Sequence, residues 1–304
     1  MEKMKIGVIS DIHSNYLAFR AVYDIMRSQG ITEYILLGDY VSDTSDTEKT
    51  MELLYEIIRD RKTHILRGNR EEYLLEQRKV RKGDKEGPRW IANSASGNLL
   101  FTFERLREKD FQFFESLPIT FKFEKEGFPA ITCCHGSPAN TKELLQLNGE
   151  NTKNWLCQID TEYLLAAHTH FPGEFRYEGK TYINNGCAGL AIGDAGLAQC
   201  TILHGTEENG VRKWEPEFLK IPYDTEAVVG KIFTSGLMDM APWFINSNIQ
   251  ILRTGTDNSA QLVALSARLM EEETGSKVIW PFIDEKYFER AAEILGVPDY
   301  RESQ

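Results

Sequence analysis

Five short polar clusters carry the residue types that could do chemistry: Asp11-Ile12-His13, Gly38-Asp39, Gly68-Asn69, His135, and His168-Thr169-His170. Together they offer carboxylate and amide oxygens and imidazole nitrogens, a mixed donor set that suits Mn, Fe, Zn or Co better than Ca or Mg. Histidines two apart at a strand end project to the same side, as two ligands of one site must. Taken singly the clusters say little, and Asp11-Ile12-His13 would serve equally as a cap for the helix that follows.

Their positions say more. Lys5 to Ser10 is a short apolar run that reads as a buried strand, and Leu17 to Gln29 has apolar residues at helical spacing. Glu33 to Leu37 is the next strand, Met51 to Ile58 is helical, and His64 to Leu66 is a third strand ending at Arg67-Gly68-Asn69. Strands separated by amphipathic helices imply right-handed crossovers and a largely parallel sheet. Such sheets bind ligands at the carboxyl edge of their strands, where Asp11, Asp39 and Asn69 all fall. His135 follows the run Ala130 to Cys134, and His168 and His170 follow Tyr163 to Ala167, so four of the six histidines lie at strand ends.

Between Glu71 and Leu117 long polar and aromatic helices interrupt the strand rhythm. Strands return at Ala130 to Cys134, Tyr163 to Ala167, Lys180 to Ile183, Gln199 to Leu203 and Lys213 to Ile221, with few helices between, which predicts antiparallel pairing in a second sheet. After Pro222 the segments near 224–235, 259–273 and 284–295 read as amphipathic helices. The division expected is a domain over 1–222, with a helical insertion at about 72–117, and a C-terminal helical appendage over 223–304.

The order D-x-H, G-D, G-N-x-E, H-G and H-T-H resembles the calcineurin-like metallophosphoesterases, from about residue 4 to 221. Ser10 to Asn15, His135-Gly136-Ser137-Pro138 and Tyr182 to Gly189 are similar to its bacterial and archaeal small-phosphoesterase branch, which includes phosphodiesterases and diadenosine polyphosphate hydrolases. The resemblance implies an α/β fold, a four-layer α/β/β/α sandwich of two mixed sheets. It also implies two divalent transition-metal ions, with manganese the ion expected to support activity in vitro. Asp11, His13, Asp39 and His170 would hold one, and Asp39, Asn69, His135 and His168 the other. A hydroxide bridging the ions would attack phosphorus, with Asp39, Asn69, Arg70 and His168 as the catalytic set. Asn15 is a candidate for holding a phosphate oxygen, or is a plain helix cap, and Glu71 is expected to orient a ligand.

Two departures from the family pattern bear on substrate. Many relatives have histidine at the position of Arg70, where it assists the departing oxygen. Arginine stays protonated, so Arg70 would clamp phosphate by charge, or simply pair with a surface carboxylate. Substrates needing little help at the leaving group, phosphodiesters or nucleotide phosphoanhydrides, are then favoured. A phosphomonoesterase, including a protein phosphatase, is the alternative within enzymes, and a catalytically weak metal-binding scaffold the alternative outside them. Asn184-Asn185-Gly186-Cys187 stands where the related branch reads N-P-G-S, so this turn is expected to be less rigid without proline.

Bulk properties bound the partners. The 304 residues carry a net charge of -11, which argues against a groove for long nucleic acid and leaves a small phosphorylated substrate, a nucleotide among them. Arg78, Lys79, Arg81, Lys82, Lys85 and Arg89 form a basic cluster that would draw a polyphosphate tail, or is a solvated helix end. Five cysteines with no close pairing motif suggest no disulfide framework, and adjacent Cys133 and Cys134 read as core. His64 and His204 match no motif and read as structural. The charged start, Met1 to Lys5, resembles no leader, and no apolar run reaches the ~18 residues of a membrane span, so a cytoplasmic protein without membrane contact is expected. The C-terminal helices are expected to cover the cleft or to join copies of the chain.

Overall fold

Residues 4–303 are described by a computed structural model. The first three residues, on which part of the reading of the charged start rests, lie outside the described residues. The chain begins β1 (Met4–Ile9), α1 (Tyr16–Ser28), β2 (Glu33–Leu36), α2 (Thr47–Asp60), β3 (Lys62–Ile65), and β1, β2 and β3 pair in parallel. The insertion follows as α3 (Asn69–Lys82), α4 (Gly97–Arg105) and α5 (Glu108–Ser116). Next come β4 (Thr120–Phe123), β5 (Ile131–Cys134), α6 (Glu150–Gln158), β6 (Tyr163–Ala166), β7 (Gly173–Tyr177), β8 (Lys180–Asn184), β9 (Leu197–Glu208) and β10 (Val211–Pro222). The helices α7 (Thr225–Thr234), α8 (Leu237–Met240), α9 (Pro242–Thr254), α10 (Ser259–Thr274) and α11 (Glu285–Leu295) end the chain.

Two five-stranded sheets result, in the orders β10-β9-β1-β2-β3 and β4-β5-β6-β8-β7. Both are mixed, and the pairing of the later strands differs from the antiparallel second sheet that their close succession suggested. In the second sheet β5, β6 and β8 run parallel, and only the edge strands β4 and β7 are antiparallel. The cause is α6, which makes the crossover from β5 to β6. It buries little besides Thr152 and Leu156, so it carries no clear helical period. The strands β9 and β10 return to the first sheet, with β9 antiparallel against β1. Residues 198–203 of β9 are all buried, as a strand inside a sheet covered on both faces requires.

Alternation along β1 shows how the layers are made. Ile6 and Val8 join Ile35 and Leu37 against Phe123, Ile131, Leu165 and Ile183 of the second sheet, and this apolar seam holds the sheets face to face. Ile9 points the other way, toward Phe19, Val22 and Met26 of α1 and Leu54 of α2. The far face of the second sheet packs Leu164 and Tyr182 against Leu156 of α6. Helix, sheet, sheet and helix therefore stack as four layers.

The C-terminal helices are tied to the rest of the chain. Ile245 and Ile249 of α9 share a core with Phe101 of α4 and with Cys187 and Leu190, while α10 and α11 pack around Ala95 and Trp243. The helix α9 escapes a periodicity reading because Trp243 and Ile245 to Ile249 are all buried, which blurs the apolar stripe. Among the described residues no helix is long and apolar enough to cross a membrane.

Candidate metal centre

The loops after β1, β2, β3, β5 and β6 meet at one rim because backbone hydrogen bonds join them. Ile12 and His13 N–H groups donate to the Asp39 carbonyl at 2.8 and 3.1 Å, Ala167 N donates to His135 O at 2.9 Å, and Gly189 N donates to Asp11 O at 2.8 Å. Two glycines permit the approach of the second and third loops. A Cβ on Gly38 would lie 2.3 Å from Gly68 N, and one on Gly68 would lie 2.2 Å from Asp39 Oδ1. The backbone is also bent into an unusual form: Asp11, His13, Asp39, His168 and His170 all have φ between 51° and 67°. Non-glycine residues adopt that region at a cost, and a concentration of them marks a functional site.

The side chains converge accordingly. His170 Nε2 lies 3.2 Å from His13 Nε2 and 3.3 Å from Asp11 Oδ1. His135 Nε2 lies 2.9 Å from Asn69 Oδ1 and 3.4 Å from Asp39 Oδ2. His168 sits beside His135, with ring centroids 5.0 Å apart. Potential ligand atoms gather within 4.8 Å of one another in Asp11, His13 and Asp39, and again in Asp39, His135 and His168. All seven residues singled out in the sequence thus meet in one place, and Asp39 belongs to both groups.

The donors are oriented as metal ligands need to be. The Leu37 carbonyl accepts from His135 Nδ1 at 2.8 Å and the Leu190 carbonyl from His170 Nδ1 at 3.1 Å, so each presents Nε2 to the cluster. His168 bonds the Lys142 carbonyl through Nε2 at 3.3 Å, which leaves Nδ1 for the cluster. Burial, and then the charge on His135, lower the His168 pKa to about 4, so its imidazole is neutral.

Burial raises the carboxyl pKa values of Asp11 and Asp39, but His135 leads the charges that outweigh it and hold both below their ordinary values. His135 is raised to about 9, with burial opposed by Asp39 and then Asp11. The same negative field that favours a proton there favours a cation. Asp11 Oδ1 is buried with no hydrogen-bond partner, a state that is costly unless a cation meets it. Donor types, orientation and this orphaned oxygen fit divalent transition metals.

Glu71 is fully buried and accepts from the backbone N–H groups of Gly68, Asp39 and Tyr40 at 2.8, 2.9 and 2.9 Å, which pins two ligand-bearing loops together. Arg70 Nη2 pairs with Asp43 Oδ2 at 2.9 Å, so its carboxylate partner is a buried one at the cluster and not a surface one. Asn15 is a correction. Its Oδ1 caps α1 by accepting from Ala18 N, and its Nδ2 donates to Gly189 O at 2.8 Å and Tyr223 Oη at 3.2 Å. At 1 % exposure it has no donor left for a phosphate oxygen.

The turn at Asn184 to Cys187, without proline, is held by hydrogen bonds to the neighbouring loops. Asn184 Nδ2 donates to Ala167 O, Asn185 Nδ2 donates to Ser10 Oγ, and the Cys187 thiol donates to Asp11 O at 3.1 Å. In the basic cluster at the end of α3 and just beyond it, Arg78 meets Glu108 and Glu115, Lys79 and Lys85 meet Glu76, and Arg81 lies over the Phe103 ring. His64 and His204 pair with Glu33 and Glu217, away from the rim. Cys133 and Cys134 are core.

Sequence reasoning missed Asp43, which is 1 % exposed, has φ of 68° and accepts from Asn98 Nδ2 at 2.5 Å. Its only sequence signal is an acid four residues beyond Asp39.

Residues 4–196 match the family described as calcineurin-like phosphoesterase. An uncharacterised protein of Methanocaldococcus jannaschii is 27 % identical over 186 residues, covering 61 % of this chain and 70 % of the relative. Among solved structures, a hypothetical protein from Pyrococcus horikoshii superposes with a TM-score of 0.67 at 18 % identity, over 83 % of this chain and 99 % of that one. A metallophosphoesterase from Sphaerobacter thermophilus gives 0.63 at 20 % identity, over 83 % of this chain and 100 % of its own. With a match across more than half its length, and the family's ligand motifs gathered at one rim, this chain belongs to the calcineurin-like phosphoesterase family.

Proposed function

We propose that the chain hydrolyses small phosphoesters with two divalent cations, manganese being a competent one, and that phosphodiesters or nucleotide phosphoanhydrides are preferred to monoesters. The observation that carries the two-cation reading is the membership of Asp39 in both ligand groups, since one carboxylate can serve a pair of ions. Such a pair supplies, when bound, an acidified water as nucleophile and positive charge against the phosphoryl oxygens. The chain's own residues orient this chemistry. His135 and His170 are fixed by the Leu37 and Leu190 carbonyls, and Glu71 keeps Asp39 beside Asn69.

The preference for good leaving groups rests on Arg70, which lines the cleft beside the ligands with its side chain 23 % exposed. Asp43 and Asp39 raise its already high pKa against the effect of burial, so it holds charge on a phosphate and has no proton to give a departing oxygen. The test is hydrolysis of bis-p-nitrophenyl phosphate beside p-nitrophenyl phosphate by manganese-loaded protein. A higher kcat/KM is expected for the diester, and a clear preference for the monoester would reverse the assignment.

A further inference from the structure

A second cavity, of about 760 Å³, lies against the metal cleft, and the two share Arg70 and Ala260 as walls. It is an open cleft lined mainly by the insertion and the C-terminal helices. Tyr73 of α3, Trp90 ahead of α4, Phe244 of α9 and Trp280 beyond α10 give it four aromatic rings. Its neutral polar side chains are already engaged. Gln77 Nε2 donates to Pro88 O and Gln77 Oε1 accepts from Trp90 N, while Asn98 Nδ2 donates to Asp43. The wall therefore offers ring faces and aliphatic side chains, with Glu76 and Lys85, which pair with each other, and Glu86 and Lys142 as its charged groups besides Arg70.

We propose that this cavity receives the non-phosphate part of the substrate, and that this part is an apolar, ring-bearing organic group. The assignment rests on the phosphoesterase reading above. Its size is that of cavities that enclose small organic ligands, which are mostly apolar with a few polar groups at one end. Here Arg70 is the charged group at the boundary between cavity and ligand cluster, 2.9 Å from Asp43 and 4.0 Å from Asp39. A phosphate held at Arg70 thus has the cluster on one side and the aromatic space on the other. Trp280, in the cavity wall, is 40 % exposed, and its chain neighbours Ile279 and Phe282 are exposed too, apolar surface that the fold leaves uncovered.

The test keeps the leaving group constant, using the methyl, phenyl and 2-naphthyl diesters of p-nitrophenyl phosphate with the manganese-loaded full chain. KM is expected to fall about tenfold or more from methyl to naphthyl as apolar area is buried, with kcat nearly constant. Ala264 is exposed on α10 and lines the aromatic cavity but not the metal cleft, so Ala264→Trp should abolish the naphthyl-over-methyl ratio. Ala260→Trp, at the junction, is a second variant with the same expected readout.

Calorimetric titration with 2-naphthylphosphonate against methylphosphonate, whose P–C bonds are not hydrolysed, reads the cavity without turnover, and the same ratio should be lost in both variants. Equal KM values for the three diesters, with hydrolysis intact, would overturn the cavity assignment and leave the hydrolase reading standing. A preference that survives both tryptophan substitutions would overturn it too. No hydrolysis of any ester, with a naphthyl binding preference that Ala264→Trp removes, would sink the hydrolase reading and uphold the cavity as a ligand site. An n-octyl diester preferred to the naphthyl one would replace rings by chains as its occupant.

Discussion

Asp43 Oδ2 stands 3.0 Å from His13 Nδ1, on the side of the ring away from the ligand cluster. The same oxygen is 2.9 Å from Arg70 Nη2. Burial pushes the Asp43 carboxyl up, but Arg70 and then His13 hold it at about 2, so it is ionised. One buried charge thereby stands against both a candidate ligand and the candidate phosphate clamp. Asn98 of the insertion and Asn248 of α9 hold Asp43 in turn, through its side chain and its carbonyl.

Asp43→Asn keeps the shape and removes the charge. Manganese affinity should fall by about 10- to 100-fold, the range for partners that orient metal-bound histidines. Calorimetric titration with Mn²⁺ checks this, and an unchanged affinity would show that His13 needs no help from Asp43.

Arg70→Ala should raise KM for bis-p-nitrophenyl phosphate about tenfold or more, because a hydrogen bond to a charged group contributes ~1.5–3 kcal/mol. The effect on kcat should be smaller. Steady-state kinetics decide it, and constants matching the wild type would remove Arg70 from substrate binding.

Metal removal should destabilise the fold as well as stop turnover, because Asp11 and Asp39 are then left as buried, mutually repelling carboxylates. Binding at about 100 times Kd stabilises a folded state by ~2.7 kcal/mol per site, so the Tm after chelation should rise on adding Mn²⁺. Elemental analysis should find two equivalents in the wild type and fewer in Asp39→Ala. Two equivalents retained by the variant would contradict the shared-ligand role of Asp39.

How much of this was legible in the sequence follows from which residues are local to a strand end. Asp11, Asp39, Asn69, His135 and His168 each follow a short apolar run, and a sheet brings such ends to one rim whatever lies between them. Asp43 sits in a loop without period, and its place is set by side chains 55 and 205 residues away, so no local pattern points to it. The Leu190 and Lys142 carbonyls that orient His170 and His168 have no side-chain signature at all. The pairing of β9 with β1 was hidden for a related reason: an apolar run shows that a strand is buried, not which neighbour buries it.

Away from the cluster, Glu33 ties the two sheets together. It sits on β2 and pairs with Lys62 and His64 of β3 and with Lys125 just beyond β4. Burial raises its pKa, but Lys125, His64 and Lys62 bring it down to about 2 from 4.5. A depressed carboxyl contributes stability above its unfolded pKa and loses it as pH falls toward the folded value. Glu33→Gln should therefore cost about 1–2 kcal/mol near neutral pH, after allowance for solvent screening. The difference between variant and wild type should hold from pH 7 to about 5 and shrink as pH drops toward about 2. Urea unfolding across that range measures it, and a difference that grows on acidification would reverse the sign of the argument.

Gly68→Ala separates the metal site from the fold. Its added Cβ would come 2.2 Å from Asp39 Oδ1 and 2.6 Å from Asp39 N, so the loops after β2 and β3 must move apart. That movement would break the bond from Arg70 N to Asp39 Oδ1, now 2.8 Å, and strain the three bonds that Glu71 accepts. Overpacking of this kind costs about 1–3 kcal/mol, less than the fold as a whole withstands. Because Asp39 belongs to both ligand groups, affinity for both manganese equivalents should fall together. Gly230→Ala, in α7 with nothing within 4 Å of its added Cβ, is the matched control and should bind metal as the wild type does. Calorimetry and urea unfolding of the two variants separate the effects. Wild-type metal affinity in Gly68→Ala would mean that Asp39 can serve the cluster from a displaced loop.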